Sequence, residues 1–441
     1  MKNGKKFSLL IILLSSLVLS GCSVSTVSSA SSASPVTEID LWVYQIGNFG
    51  NAETVQAFID DFQSQHPDIH VNVDYLDYTT GDDQVNASIA AGTEPDVIME
   101  GPERLVTNWG AKGVMVELSD LWTDEALADI NATNPVISEA CRNSEGMYYE
   151  YPLCINAHCM AINYEMFAKA GALVDINMET HTWTTEQFVD ACQKLAASGL
   201  CDTPGIVYCG GQGGDQGTRA LITNMYGAQF TNADHTAYTI NSEAGIKAMN
   251  ELVSMCEEGV FSYNAGIQAS DELKNFAQGS TAMSLAWNSS NEKSYADQVS
   301  FTPYTMTFPT DSGEPQLCGG IWGFGVFNSQ DDARISAAKE LIRFFCDDPV
   351  QRVKSVQAAR SFPVRASIGN PYQGTADEQR MSTYQKMLSY LGDYYSITPG
   401  WSAQRTAWWT MLQQVFHGTD AQTAADQYVK IANAAIANEV K

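Results

Sequence analysis

The chain is short of positive charge. Its 441 residues carry 24 lysines and arginines against 51 aspartates and glutamates, a formal net charge of −27. Nucleic acids and other polyanions bind through basic surface, so no nucleic-acid partner is expected. A strongly anionic small solute would need a local basic pocket to overrule the same balance. Histidine is scarce too, with six in all and none in a motif. Neither H-E-x-x-H nor G-x-S-x-G occurs, which removes two common signatures of hydrolytic chemistry. Gly-Lys-Ser/Thr is absent, and no G-x-G-x-x-G fits the glycine-rich loop at 208–219, so no phosphate cradle is expected there. There is no C-x-x-C. Cys154 and Cys159 flank His158, which is a weak metal pattern, and neither a metal nor a cofactor is expected. The longest nearly unbroken apolar run, residues 7–19, has 13 residues. A spanning helix needs roughly 20. No other run reaches 18, so the body of the chain is expected to be soluble.

What is present begins at the N-terminus. Lys2, Lys5 and Lys6 precede the apolar run and Ser20 and Gly21 follow it, the layout of a secretory signal peptide over residues 1–21. Leu19-Ser20-Gly21-Cys22 also resembles the lipobox of bacterial lipoproteins, in which the signal is cut before the cysteine and the cysteine carries lipid. Cys22 is therefore the candidate lipidation site; an ordinary secretory signal with an incidental cysteine is the alternative. Stable anchoring takes more than one acyl chain or signal, at about 0.8 kcal/mol per buried methylene, and a lipidated N-terminal cysteine can supply several chains. Residues 22–35 are rich in serine and alanine and hold almost no large apolar side chains, so they read as a flexible tether. The expected location is the extracellular face of the cell membrane. Secretion permits disulfides, but nine cysteines follow Cys22, an odd number, and most are expected as small buried hydrophobes.

Beyond the tether, Glu38 to Tyr44 has strand composition. Val55, Phe58, Ile59 and Phe62 then recur on one face of a helix that Pro67 ends. His70 to Tyr75 alternates as a strand, 82–91 reads as a helix stopped by Gly92, and 96–99 as a short buried strand. This β-α-β-α-β order predicts an α/β fold with a parallel sheet and right-handed crossovers. Ligands sit beyond the carboxyl ends of such strands, which makes Gln45 and Glu100 candidates, with Glu103 and Arg104 close behind. Further helices are expected at 184–198, 242–258 and 333–345, and over most of 404–440 with a break at Gly418.

Six stretches carry a more specific likeness. They are AAGTEPDVIM at 90–99, YPLCINAHCMAINYEMFAKAG at 151–171, TWTTEQFVDACQKL at 182–195, FAQGSTAMSLAW at 276–287, CGGIWGFGVFNSQDDARISAAKELIRFF at 318–345 and ARSFPVRAS at 359–367. In this order they resemble the solute-binding lipoproteins of bacterial carbohydrate ABC transporters, the family that includes maltose-binding protein. One departure is Asn163-Tyr164, where the family pattern runs Tyr-Asn. The resemblance implies a periplasmic-binding-protein-like fold of two α/β lobes with a multi-crossing hinge and a ligand cleft between them. By analogy the first lobe is 36–152 plus 321–372 and the second 153–320 plus 373–441, with Tyr151-Pro152 as a crossing point. It also implies capture of a sugar or oligosaccharide by hinge closure, delivery to the transmembrane subunits of a permease, and no enzymatic activity. A monomer is the default.

Sugars offer C–H faces to aromatic rings and hydroxyl rims to amides, carboxylates and guanidinia. Trp287 follows the Ala282-Met283 pair, where the family places a stacking aromatic. Trp401, in TPGWSAQR, and Trp322, between glycines that permit close approach, are further candidates, whereas Trp408 and Trp409 read as core and rim of a helix. In the loop YCGGQGGDQGTR at 208–219, Asp215 and Gln216 are candidates to point into the pocket. Asn156 resembles a family ligand position, and Glu100, Gln45, Glu103 and Arg405 complete the set. Two alternatives stand beside sugar capture. One is a different solute on the same architecture, such as a polyamine or peptide, and the other an anchored glycoside hydrolase with paired carboxylates.

Overall fold

Alternating strands and amphipathic helices bury their apolar faces by laying helices over a sheet, and this chain does so twice. The computed structural model describes residues 36–78, 80–211 and 216–439. The expected signal peptide, Cys22, the tether and Asp215 lie outside the described residues. The strands in chain order are β1 Thr37–Tyr44, β2 Ile69–Leu76, β3 Val97–Glu100, β4 Tyr151–Ala157, β5 Cys159–Asn163, β6 Ile206–Tyr208, β7 Ser262–Asn264, β8 Met283–Trp287, β9 Pro303–Met306, β10 Gly319–Val326 and β11 Phe362–Pro363. The first layer is a six-stranded sheet in the order β11-β4-β10-β3-β1-β2. β1 runs parallel to both β2 and β3, while β10 is antiparallel to β3 and β4. The second layer holds the antiparallel sheet β8-β5-β9 and the parallel pair β6-β7.

The helices follow their sequence signals. Asn51 caps the helix Ala52–Gln65, accepting from Thr54 N at 2.9 Å, and Val55, Phe58, Ile59 and Phe62 are its buried stripe. Gly92 ends the next helix, Gly81–Ala91, at φ +67, a left-handed stop that favours glycine. Thr184 and Gln187 form a capping box on Thr185–Ser198. The C-terminal helices are Trp401–Phe416 and Ala421–Glu439, with Gly418 between them. Phe58, Phe62, Phe324, Phe344 and Phe345 pack one core under the six-stranded sheet. Trp183, Phe188, Met249, Trp408 and Tyr428 belong to the core of the second layer. None of the nine described cysteines is in a disulfide, and seven of them are buried.

The strand that contains Pro152 stays in the six-stranded sheet as far as Ala157, and the chain enters the second sheet at Cys159. Pro152 is tolerated inside β4 because it faces Gly323 at a register shift of β10. A Cβ on Gly323 would sit 2.4 Å from Tyr151 O, so only glycine fits opposite it. Arg365, from the Pro-x-Arg stretch, reaches both the Tyr151 hydroxyl and Asp347, which ties the start of β4 to the helix Asp332–Cys346.

The glycine-rich loop differs from its sequence reading, because Gln216 and Gly217 open the helix Gln216–Met225. Glycine is used there for close packing, since a Cβ on Gly217 would lie 2.1 Å from the carbonyl oxygen of Leu285 in β8. Gly217→Ala should therefore force the helix from the sheet and cost about 1–3 kcal/mol, read as a lower urea midpoint with an unchanged denaturant slope.

Candidate functional site

Three strand ends build one wall of a cleft. Parallel strands point their carboxyl ends to the same edge. There β1 delivers Gln45, β2 delivers Asp77 and Tyr78, and β3 leads through Glu100 into Glu103 and Arg104. Asn156 comes from the end of β4, His158 from the passage between the two sheets, and Gly320 and Trp322 from β10. Gln216, Gln268, Asn288, Ser290, Tyr295 and Arg405 face them from the second layer. The cavity between measures about 430 Å³, within the range of small-molecule sites.

An ion network sits behind this wall. Pro102 opens a single helical turn, where its missing N–H costs nothing, and Arg104 ends it. The Arg104 Nε lies 2.6 Å from Asp82 Oδ1, and its Nη1 bonds Glu100. Tyr44 donates to Asp82 at 2.6 Å, and the Arg104 guanidinium stands 5.3 Å from the Tyr44 ring. Arg405 approaches Asp82 Oδ2 to 3.7 Å from the second layer. Tyr394 donates to Glu103 at 3.1 Å. Burial alone would raise Asp82, but Arg104, Tyr44 and Arg405 hold its carboxyl below the usual range. Burial pushes the Glu100 carboxyl up, with Arg104 opposing and Glu103 and Asp82 adding to the rise. Glu150, fully buried just before β4, has no hydrogen-bond partner for either oxygen among the described residues. Burial drives its pKa well above the ordinary carboxylate value, and Glu103 and Glu100 reinforce this.

Of the residues named from sequence, Gln45, Glu103, Asn156, Gln216, Trp322 and Arg405 line the cleft together. Glu100, Trp287 and Trp401 do not. Glu100 is fully buried behind the wall, committed to Arg104. Trp287 is a core residue, with its ring edge-on to Phe276 at 5.2 Å. Trp401 is 3 % exposed and packs one layer back, its ring 5.0 Å from the Arg219 guanidinium and 5.7 Å from that of Arg405. Asp215 lies outside the described residues.

Sequence reasoning missed Asp77, Tyr78, His158 and Tyr295. The strand-end rule that points to Gln45 also points to Asp77 and Tyr78, once β2 is extended to Leu76. From sequence His158 is a weak metal pattern between two cysteines, but it lines the cleft while both cysteines are buried in strands. No group of three or more His, Cys, Asp or Glu that could hold a metal ion occurs among the described residues.

Two α/β layers joined by strand passages, with a polar and aromatic cleft at the strand ends, define a two-lobed ligand-binding protein. The profile of the bacterial extracellular solute-binding proteins matches residues 57–383, and the chain belongs to that family. No protein of curated function matches it. Among solved structures it is similar to an ABC-transporter solute-binding protein from Thermotoga lettingae bound with α-D-tagatose, with a TM-score of 0.74, 19 % identity, and 91 % of this chain and 100 % of that one covered. A substrate-binding protein from Listeria monocytogenes in complex with cycloalternan gives a TM-score of 0.72 at 18 % identity over 92 % of this chain and 99 % of that one. The maltose/maltodextrin-binding domain of Bdellovibrio bacteriovorus, bound to maltotriose, gives 0.70 at 14 % identity over 91 % and 100 %. At these identities the likeness establishes the fold.

Two stability predictions follow from the network. Arg104→Met leaves Glu100 and Asp82 buried without their cation and should cost about 3–5 kcal/mol in chemical denaturation. For Glu150 the folded pKa is raised, so the native state holds a proton that the unfolded chain releases. Its contribution to stability is full in acid and falls as pH climbs from the ordinary carboxylate range through the raised value. Glu150→Gln keeps the shape without the titration, so its melting temperature should fall less than that of the unaltered protein between pH 5 and pH 8.

Proposed function

We propose that this solute-binding protein captures a sugar or oligosaccharide by closing its two lobes, and presents it to the transmembrane subunits of an ABC permease. The single observation that carries this reading is the chemistry of the cleft. Trp322, Tyr78 and Tyr295 offer aromatic faces, while Asn156, Gln216, Gln268, Asn288 and Ser290 offer neutral donors and acceptors. That combination suits a ring with apolar faces and a hydroxyl rim. The sugars bound by the three solved relatives support it. We read the cleft as a binding site and not a catalytic one: Glu100 and Asp82 are spent on Arg104, Glu103 accepts from Tyr394, and Asp77 accepts from Thr80. Asp77 and Glu103 keep an amine-bearing solute as the second reading.

Closure would move bodies close to 36–152 plus 321–372 and 153–320 plus 373–441, with the first passage at His158, where the strands change sheets. A ligand drives closure only by binding the closed state better than the open one. Lipid at Cys22 and the tether at 22–35 would hold a monomer at the outer membrane surface and raise its effective concentration at the permease.

Thermal unfolding against mono- and oligosaccharides, polyamines and peptides tests the reading. A ligand at about 100 times its dissociation constant should add roughly 2.7 kcal/mol of stability. A rise with one sugar class and with nothing else is the expected outcome. A rise only with polyamines or peptides would keep the fold and overturn the sugar.

A further inference from the structure

The antiparallel register of β4 and β10 sets Gly320 opposite Asn156, and strand alternation puts Trp322 on the same face as Gly320. Three polar atoms converge there. A Cβ built on Gly320 would meet Asn156 Oδ1 at 2.9 Å, Trp322 Nε1 at 3.1 Å and His158 Nε2 at 3.3 Å. All four residues line the cleft. Asn156 is 3 % exposed, and its Oδ1 and the Trp322 Nε1 are both buried without a hydrogen-bond partner among the described residues. A buried donor and a buried acceptor left unmade are costly, so this pair, side by side in a ligand cleft, calls for an occupant.

The occupant's chemistry follows from the pair. Asn156 Oδ1 only accepts, and Trp322 Nε1 only donates. An ammonium gives protons but has no lone pair to receive one. A carboxylate receives and cannot give, and a deoxy carbon does neither. A hydroxyl does both from one oxygen. We propose that Asn156 and Trp322 together read one hydroxyl of the ligand, and that Gly320 determines specificity by leaving its seat open. This rests on the sugar reading above and sharpens it, because the same pair discriminates against the all-donor amine.

The test is calorimetric titration of the full-length protein in detergent with D-tagatose, maltose and maltotriose, then with the monodeoxy analogues of whichever sugar binds. One deoxy position should cost about 10- to 100-fold in affinity. That penalty alone should shrink in Trp322→Phe, which keeps the ring and removes the N–H while Asn156 still accepts from the hydroxyl. Gly320→Ala fills the seat, and should weaken the parent sugar at least about tenfold while leaving the crippled deoxy analogue within about twofold. Because Gly320→Ala can also disturb the strand, Trp322→Phe decides independently. Equal deoxy penalties in the unaltered protein and in Trp322→Phe would overturn the assignment while sparing the sugar reading. Binding of spermidine or a peptide in place of every sugar would remove both.

Discussion

The cleft depends on one buried guanidinium. Arg104 ends the turn after β3, bonds Glu100 at the tip of that strand, and reaches Asp82 in the helix after β2, while Asp82 takes the hydroxyl of Tyr44 from the tip of β1. Three neighbouring strand ends are thereby fixed relative to one another by one side chain. Arginine suits this position because its planar fork holds several acceptors at once and stays charged when buried. The arrangement constrains the sequence in return. A buried charge persists only when paired, so Glu100 and Asp82 are required wherever Arg104 is, and neither is free for a ligand.

The same network meets the opposite wall. Arg405 comes from the helix Trp401–Phe416, which packs in the second core, and it approaches Asp82 at 3.7 Å, against 2.6 Å for Arg104. Short charge-assisted hydrogen bonds are the strong ones. The contact across the cleft is therefore the weaker link, and separation of the two layers would break it first and leave the wall intact. Trp401 and Arg219 bear on this from behind, since they form the stack against which Arg405 lies. A residue one layer back can thus govern a cleft residue without touching a ligand.

Much of this was legible in the sequence where the signal is local. Apolar spacing gives the helix Ala52–Gln65, Gly92 its neighbour's stop, and Thr184 with Gln187 a cap. The strand-end rule gives Gln45, Glu103 and Arg104. What stayed hidden depends on long-range pairing. Pro152 reads as a natural break, yet it sits inside a strand because Gly323, far along the chain, supplies a bulge opposite. The glycines at 208–217 read as irregular, yet Gly217 is helical, and it is glycine because the Leu285 carbonyl crowds it. Neither partner can be named before the register is known.

The tryptophans show the same limit, and also where it can be pushed back. Chemistry alone recommends Trp287, Trp322 and Trp401 equally, because each offers the same flat face. Strand parity separates two of them. On β8, Met283, Leu285 and Trp287 fall on one side and all are buried, while Ala286, the alternate residue, is the one that lines the cleft. An aromatic in step with Met and Leu belongs to the core. On β10, Trp322 is in step with Gly320, and a glycine in a strand marks a close approach and not a packed interior. The residues that share a face with an aromatic therefore say more about its role than the aromatic does.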